Sequence, residues 1–370
     1  MLKGYIEGYY GRLFSKEDRE KLINHMGSLN MDFYLYGPKE DPYHRVEWQK
    51  NYPIAQQKLL KALVSQCKKN KIRPIFAISP GLQRSQASQS DKKKLISKLK
   101  QAEKQGFQEF AIFFDDIEHK RNQDLANSHL EIIELVSSLD AVQDNPLMIC
   151  PTVYCKSFAK GNLKNNLYLK QLAKGLDPCV SILWTGDEVV SQSIGLKGLK
   201  ELKSLFSNPL IIWDNFYAND YCPSRFYIGS YKGRKSINKL AYAAGINPTG
   251  LPITDMICLS RFMCDASDKE ILDEFNIPRE FIKILPYFSD PFRNMSSLEL
   301  DQIDKLLKTQ FKLCIEWKSD LQLEWAPFFW KFYQDLILLK KIKQGDSKFN
   351  LEEWLKRRYS DPLRKTILRN

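Results

Sequence analysis

The chain has little of what builds metal and redox centres. Of 370 residues only four are histidine (His25, His44, His119 and His129), and the eight cysteines form no Cys-x-x-Cys pair, so no metal site and no cofactor are expected. Most cysteines lie within apolar runs, the pattern of buried free thiols in a reducing compartment. No apolar run is long enough to cross a bilayer. Strand-like residues begin at Leu2, which leaves no room for the basic and apolar regions of a signal peptide. The expectation is a soluble cytoplasmic protein with no membrane partner. Basic and aromatic residues do not interleave as in nucleic-acid motifs, so no nucleic-acid partner is expected. Internal repeats and low-complexity linkers are also missing.

What is there begins with a large apolar complement, 43% hydrophobic and 12% aromatic, under a net charge of +12. That suffices for one large domain and an added module. The surplus of positive charge comes mostly before about residue 265, in lysine-rich helical stretches such as 92–94 and 98–104, which read as solvated helix faces.

The most informative run is Phe110 to His119, where an apolar strand pattern ends in Asp115-Asp116. Two adjacent acids inside a buried strand would force one carboxylate into apolar packing. They therefore belong where the strand stops, which in barrels and open sheets is where chemistry sits. The pair alone leaves another reading open, with one Asp capping the next helix and the other solvated.

Taken in order, strands are predicted near Lys3 to Glu7, Asp32 to Tyr36, Arg73 to Ser79, Phe110 to Phe114, Leu147 to Pro151, Val180 to Trp184, Leu210 to Trp213 and Leu240 to Ile246. Each is followed by a helix or a polar loop. Eight such units predict an α/β fold, a (β/α)8 TIM-like barrel. The alternative is a doubly wound sheet, but Glu7 to Gly11 lacks the G-x-G-x-x-G spacing of a phosphate loop. After about residue 265 the period becomes helical, with tryptophans at 317, 325, 330 and 354 among leucines and phenylalanines. The predicted division is a barrel over 1–264 and a C-terminal all-helical module over 265–370.

Closure of a barrel would bring Gly8, Lys39, Asp115, Asp116, Tyr154, Trp213, Asn215 and Asn247 into one basin. Amides and carboxylates hydrogen-bond hydroxyls, and an indole covers a sugar face or an acyl methyl. Glycoside hydrolysis is the reaction class that fits. Adjacent acids suit substrate assistance better than two carboxylates facing each other across the scissile bond. In that chemistry the substrate's 2-acetamido oxygen attacks the anomeric carbon while one Asp holds the acetamide nitrogen and the other protonates the leaving oxygen.

The stretches EGYYGR (Glu7 to Arg12), YLYGPKEDPYHR (Tyr34 to Arg45), AISPGL (Ala77 to Leu82), FFDDIEH (Phe113 to His119), CPTVYC (Cys150 to Cys155), ILWTG (Ile182 to Gly186) and WDNFYAND (Trp213 to Asp220) resemble glycoside hydrolase family 84, the O-GlcNAcase family. The resemblance implies a retaining exo-β-N-acetylglucosaminidase that works through an oxazoline intermediate and removes single GlcNAc residues from Ser or Thr of proteins. It implies that Asp115 orients the acetamide, Asp116 is the general acid and then base, and Tyr154 bonds the acetamide oxygen. Trp213 then walls the acetyl pocket, and Asn215 lies near the acetamide and leaving group. Asp220 grips the O4 and O6 hydroxyls, while Asn247, Lys39 and the backbone at Gly8 contact the rest. Gly37 stands where many members have alanine. Other functions consistent with the residues are a hexosaminidase acting on a glycosaminoglycan or other GlcNAc polymer, and a non-catalytic glycan-binding module. Expected partners are GlcNAc-bearing proteins or glycans, and a second copy of the chain through the helical module.

Overall fold

The computed structural model describes residues 1–81, 88–117, 119–143, 145–293, 295–345, 351–358 and 361–364. Two residues of the motif stretches, Leu82 and Glu118, lie outside them. Eight short apolar strands, β1 (Leu2–Glu7), β2 (Phe33–Tyr36), β3 (Arg73–Ile78), β4 (Glu109–Phe113), β5 (Met148–Cys150), β6 (Ser181–Trp184), β7 (Leu210–Asp214) and β8 (Ala243–Ile246), pair in parallel in sequence order, and β8 returns to β1 to close the barrel. The predicted (β/α)8 architecture is the one observed.

Most strand residues are buried, because the outer face lies under helices and the inner face fills the lumen. The lumen is packed by Ile6, Phe33, Leu35, Ile75, Ala77, Ala111, Phe113, Met148, Cys150, Leu183, Ile211, Trp213 and Ala243. At Gly245 a Cβ would fall 2.7 Å from Ile6, so this position stays bare to let a neighbouring strand fill the centre.

The covering helices are α1 (Lys16–Ser28), α2 (Ile54–Lys69), α3 (Gln89–Lys104), α4 (Gln123–Ser137), the single turn α5 (Asp140–Gln143), α6 (Leu167–Gly175) and α7 (Leu196–Lys203). Ser15 and Asp18 form a capping box at the start of α1, as do Ser88 and Asp91 at α3. One lysine of the basic α3 is not solvated: Lys98 is fully buried, donates to the Tyr43 carbonyl at 3.0 Å and lies 4.2 Å over the Tyr52 ring. Six of the eight cysteines are buried free thiols, whereas Cys179 and Cys264 are exposed.

By packing, the chain separates into two compact units, one of 1–216 with 232–250 and one of 217–231 with 251–370. The second unit contains α8 (Pro252–Cys264), α9 (Asp268–Glu274), α10 (Leu300–Ile315), α11 (Asp320–Lys343) and α12 (Leu351–Lys356). Its core is aromatic: Phe226 stacks on Trp325 at 4.5 Å, and Phe281, Phe288 and Phe329 surround them. Arg225 is fully buried between Asp335 at 3.0 Å and Asp361 at 3.3 Å. Segment 217–231, which reads in sequence as a loop after β7, therefore supplies both an aromatic and a cation to this second core. Helix α11 begins at Asp320, where Ser319 caps the Gln322 N–H at 3.0 Å, and the helix runs on through Pro327. Of its tryptophans, Trp325 is central and Trp330 is 40% exposed. Among the described residues no helix is long and apolar enough to cross a membrane.

Candidate active site

Side chains alternate along a strand, so counting in twos along the lumen-facing rows shows what they deliver beyond the strand ends. Ile6 leads to Gly8, Leu35 through Gly37 to Lys39, Phe113 to Asp115, Cys150 through Thr152 to Tyr154, Trp213 to Asn215, and Gly245 to Asn247. Asp116 is out of step. Its backbone takes the left-handed conformation, φ 51°, an unusual state for a non-glycine residue. That turn brings the second acid to the same groups as the first.

Lys39 is 5% exposed. Its ammonium pairs with Asp115 Oδ2 and lies 3.9 Å from Asp116 Oδ2. It also faces the Phe113 and Trp213 rings at 5.4 and 5.9 Å. Its ion-pair partners are these strand-end acids and not its sequence neighbour Asp41. Asp41 instead accepts the Tyr36 and Tyr52 hydroxyls, each at 2.7 Å.

The two acids differ in depth: the Asp115 side chain is 7% exposed and that of Asp116 29%. Burial pushes the Asp115 carboxyl above its ordinary range; Lys39 opposes this and the Asp116 charge adds to it. Asp116 is also pushed up by burial, but Lys39, hydrogen bonds from Tyr10 and Tyr154, and Arg45 outweigh it and hold it below its ordinary value. Burial thus favours the neutral form at Asp115, and the donors around Asp116 favour its carboxylate. Asp115 Oδ1 is buried and has no hydrogen-bond partner among the described residues.

Tyr154 donates to Asp116 Oδ1 at 3.0 Å, and Tyr10 donates to Asp116 Oδ2 at 2.8 Å. Tyr10 escaped the sequence reading although it lies within EGYYGR. The available signal was its place two residues beyond Gly8 in the lumen-facing count. Arg45 sits 5.0 Å over the Tyr10 ring.

On the far side, three polar residues lock one another. Asn215 Oδ1 accepts from Trp213 Nε1 and from Asn247 Nδ2, both at 2.9 Å, and Asn215 Nδ2 donates to the Val189 carbonyl at 2.8 Å. Asn247 Oδ1 accepts the Gly8 N–H at 3.1 Å. With both lone pairs and one N–H engaged, Asn215 has a single N–H to offer a ligand, and Gly8 has only its carbonyl. A Cβ on Gly8 would lie 2.4 Å from the Trp213 indole, so the residue type is set by close approach. Phe158, at 5.0 Å from the Tyr154 ring, and Val189, both absent from the sequence reading, pack against the lumen residues.

Two buried histidines brace this rim. His44 donates Nδ1–H to the Ala77 carbonyl at 2.9 Å and packs edge-on against Phe113; burial and then Lys39 lower its pKa to about 3, so it stays neutral. His129 stacks on Phe114 at 3.9 Å and accepts the Tyr168 hydroxyl, which itself accepts the Thr152 N–H at 3.1 Å. Asp220 falls in the second unit, where it is exposed and accepts the Tyr221 N–H at 2.9 Å. Among the described residues no three His, Cys, Asp or Glu side chains gather as metal ligands.

A sequence model of the β-N-acetylglucosaminidase family matches residues 3–263. The Protein O-GlcNAcase of Mus musculus is 33% identical over 241 residues, and that of Rattus norvegicus 32% over 241, in each case 64% of this chain and 26% of the relative. The match thus spans about a quarter of those curated relatives. Among solved structures, a point mutant of the O-GlcNAc hydrolase of Thermobaculum terrenum superposes with a TM-score of 0.78 at 22% identity, over 100% of this chain and 94% of that one, a likeness of fold.

Lys39→Met removes the cation that stabilises ionised Asp115, so the Asp115 carboxyl should titrate at higher pH than in the unaltered protein, by about one unit or more. Carbon-detected NMR of the aspartate carboxyls measures it; an unmoved or lowered Asp115 titration contradicts the electrostatics described here.

Proposed function

Because the chain belongs to the β-N-acetylglucosaminidase family, we propose that it removes terminal β-linked N-acetylglucosamine from Ser or Thr of proteins. The proposed reaction proceeds with retention and with the substrate's own acetamide as nucleophile. The observation that carries this reading is the orphaned acceptor at Asp115. A buried carboxylate oxygen without a donor costs about 1–3 kcal/mol, and Oδ1 is in that state beside an oxygen already paired with Lys39. An acetamide N–H supplies the missing donor.

In the proposed sequence the acetamide oxygen attacks the anomeric carbon while Asp116 gives its proton to the departing oxygen. Asp115, ionised beside Lys39, accepts the acetamide N–H and stabilises the positive charge that develops on the ring forming between them. Tyr154 turns its hydroxyl to the acetamide oxygen, and Trp213 walls the acetyl methyl. Asp116, now a carboxylate, takes a proton from water as that water attacks the anomeric carbon and reopens the ring. The remaining N–H of Asn215, the Gly8 carbonyl, Asn247 and Lys39 hold hydroxyls and the leaving group. The catalytic region is assigned to 1–264, and 265–370 to the helical module.

A homodimer through the helical unit in a reducing, cytoplasmic setting completes the proposal. It is supported by the exposure of Phe311, Ile315, Leu323 and Trp330 on α10 and α11, and by eight free cysteines. Mass measurement of the native protein without reductant tests both parts. A dimer free of disulfides is expected; a monomer or a disulfide-linked species contradicts the corresponding part.

Asp116→Asn should lower turnover of glycosides with poor, alkoxide-like leaving groups by about 10²–10⁴-fold. Activated aryl glycosides, which leave without a proton, should lose far less in their first step. Steady-state kinetics on both classes makes the comparison, and equal losses would remove Asp116 from the acid role.

A further inference from the structure

The positive charge of the chain is gathered in one sector of the barrel wall. Residues 54–104, from the start of α2 to the end of α3, hold thirteen Lys or Arg against two Asp or Glu, a net +11 of the chain's +12. The rest of the chain is nearly neutral. A one-signed field of this kind acts on charged partners rather than on the fold.

The two helices meet along a seam. Gln57 of α2 accepts from Gln105, just past α3, at 3.2 Å, and Gln101 of α3 bonds the N–H and the carbonyl of Tyr52 at 2.7 and 3.1 Å. A Cβ on Gly106 would lie 3.1 Å from Val64 and 3.6 Å from Lys68 Nζ. Lys61 and Lys68 share the α2 edge of Gln57 and Val64 by steps of three and four, and Lys94 and Lys104 share the α3 edge of Gln101. All four are exposed, as are Lys58, Lys69, Lys93 and Lys100 beside them.

Nothing in the seam cancels this charge. Its floor is built of neutral amides where carboxylates would have paired with the lysines. The two acids of the sector are turned elsewhere: Asp91 is tied to Ser88 at the cap of α3, and Glu103 falls on the side of that helix opposite Gln101. Among the described residues, Lys92 is the one lysine of these helices in an ion pair, with Glu131 at 3.1 Å. Lys100 and Lys104 stand four apart, an arrangement that repels. The counter-charge is left for a partner to bring.

The helices carry neither arginine nor an aromatic residue, so they lack the planar fork that grips phosphate or guanine and the rings on which bases stack. Separate ammonium groups along a polar seam suit the carboxylates of a polypeptide. The seam also starts at the loop that carries Lys39: Ser97 reaches Asn51 at 3.4 Å, and Lys98 donates to the Tyr43 carbonyl at 3.0 Å. We propose that the seam between α2 and α3 docks an acidic segment of the same polypeptide whose sugar enters the basin. This rests on the reading that the substrate is a glycosylated protein. About ten extended residues, spanning about 33 Å, connect the two places.

The test compares two synthetic peptides with one glycosylated serine, flanked on both sides at about ten residues by a run of Glu in one and of Gln in the other, and an aryl N-acetylglucosaminide as control. The unaltered protein should prefer the Glu peptide by about tenfold in kcat/KM at low salt, mostly through KM, the scale of several exposed ion pairs acting together. The preference should shrink as salt is raised. Replacing the four seam lysines (Lys61→Glu, Lys68→Glu, Lys94→Glu and Lys104→Glu) should abolish or invert it and leave the aryl glycoside within about twofold; the same four changed to Gln serve if the first set does not fold. Equal turnover of the two peptides at low salt, or a preference that survives the substitutions, overturns the proposal. So does a DNA duplex or a phosphatidylserine vesicle that binds the same lysines more tightly than the Glu peptide, since the seam then belongs to that other partner. If the aryl glycoside is cleaved and neither peptide is, the protein-substrate reading fails and the proposal falls with it.

Discussion

The site depends on one ammonium group held out of water between two neighbouring carboxylates. Lys39 is paired with Asp115 and lies within 4 Å of Asp116. In such surroundings a lone buried charge would be expelled or neutralised, and a pair persists only with further support. That support comes from the Phe113 and Trp213 rings facing the cation and from His44, which stays uncharged beneath it. The surplus of one carboxylate over one ammonium is what makes the acids unequal. Burial favours the neutral form at the deeper Asp115, while Asp116 lies among hydrogen-bond donors that favour its carboxylate.

Barrel closure explains how residues so far apart in sequence can serve one cation. The lumen rows end in apolar residues and a glycine, and beyond them the same two-residue rhythm presents Gly8, Lys39, Asp115, Tyr154, Asn215 and Asn247. Rigidity follows from how these groups satisfy one another. The Trp213, Asn215, Asn247 and Gly8 chain fixes the orientation of both amides before any ligand is considered.

Much of this was legible in the residues. Apolar runs closed by Gly, Pro or paired acids marked the strands, and the motif stretches at strand ends named most of the site. What escaped did so for physical reasons. Asp116 was placed in the site but not its route there, a left-handed turn that breaks the rhythm of two and that aspartate tolerates without requiring it. Tyr10 reads as loop punctuation until its hydroxyl is placed against Asp116. Segment 217–231 is polar enough to pass for a barrel loop, yet Arg225 and Phe226 are bound into the helical core by Asp335, Asp361 and Trp325, far downstream in the sequence. Periodicity reports local geometry, and these three features are set by partners distant in sequence.

The claim at the centre is that the substrate's acetamide, received by Asp115, is the nucleophile. Turnover of aryl glycosides whose N-acetyl methyl bears none, one, two or three fluorines measures it directly, since each fluorine drains electron density from the acetamide oxygen and leaves the glycosidic bond alone. The account predicts a stepwise fall of kcat/KM across the series, steep enough to exceed tenfold by the third fluorine. A flat series would contradict it and would require a nucleophile from the protein or from water.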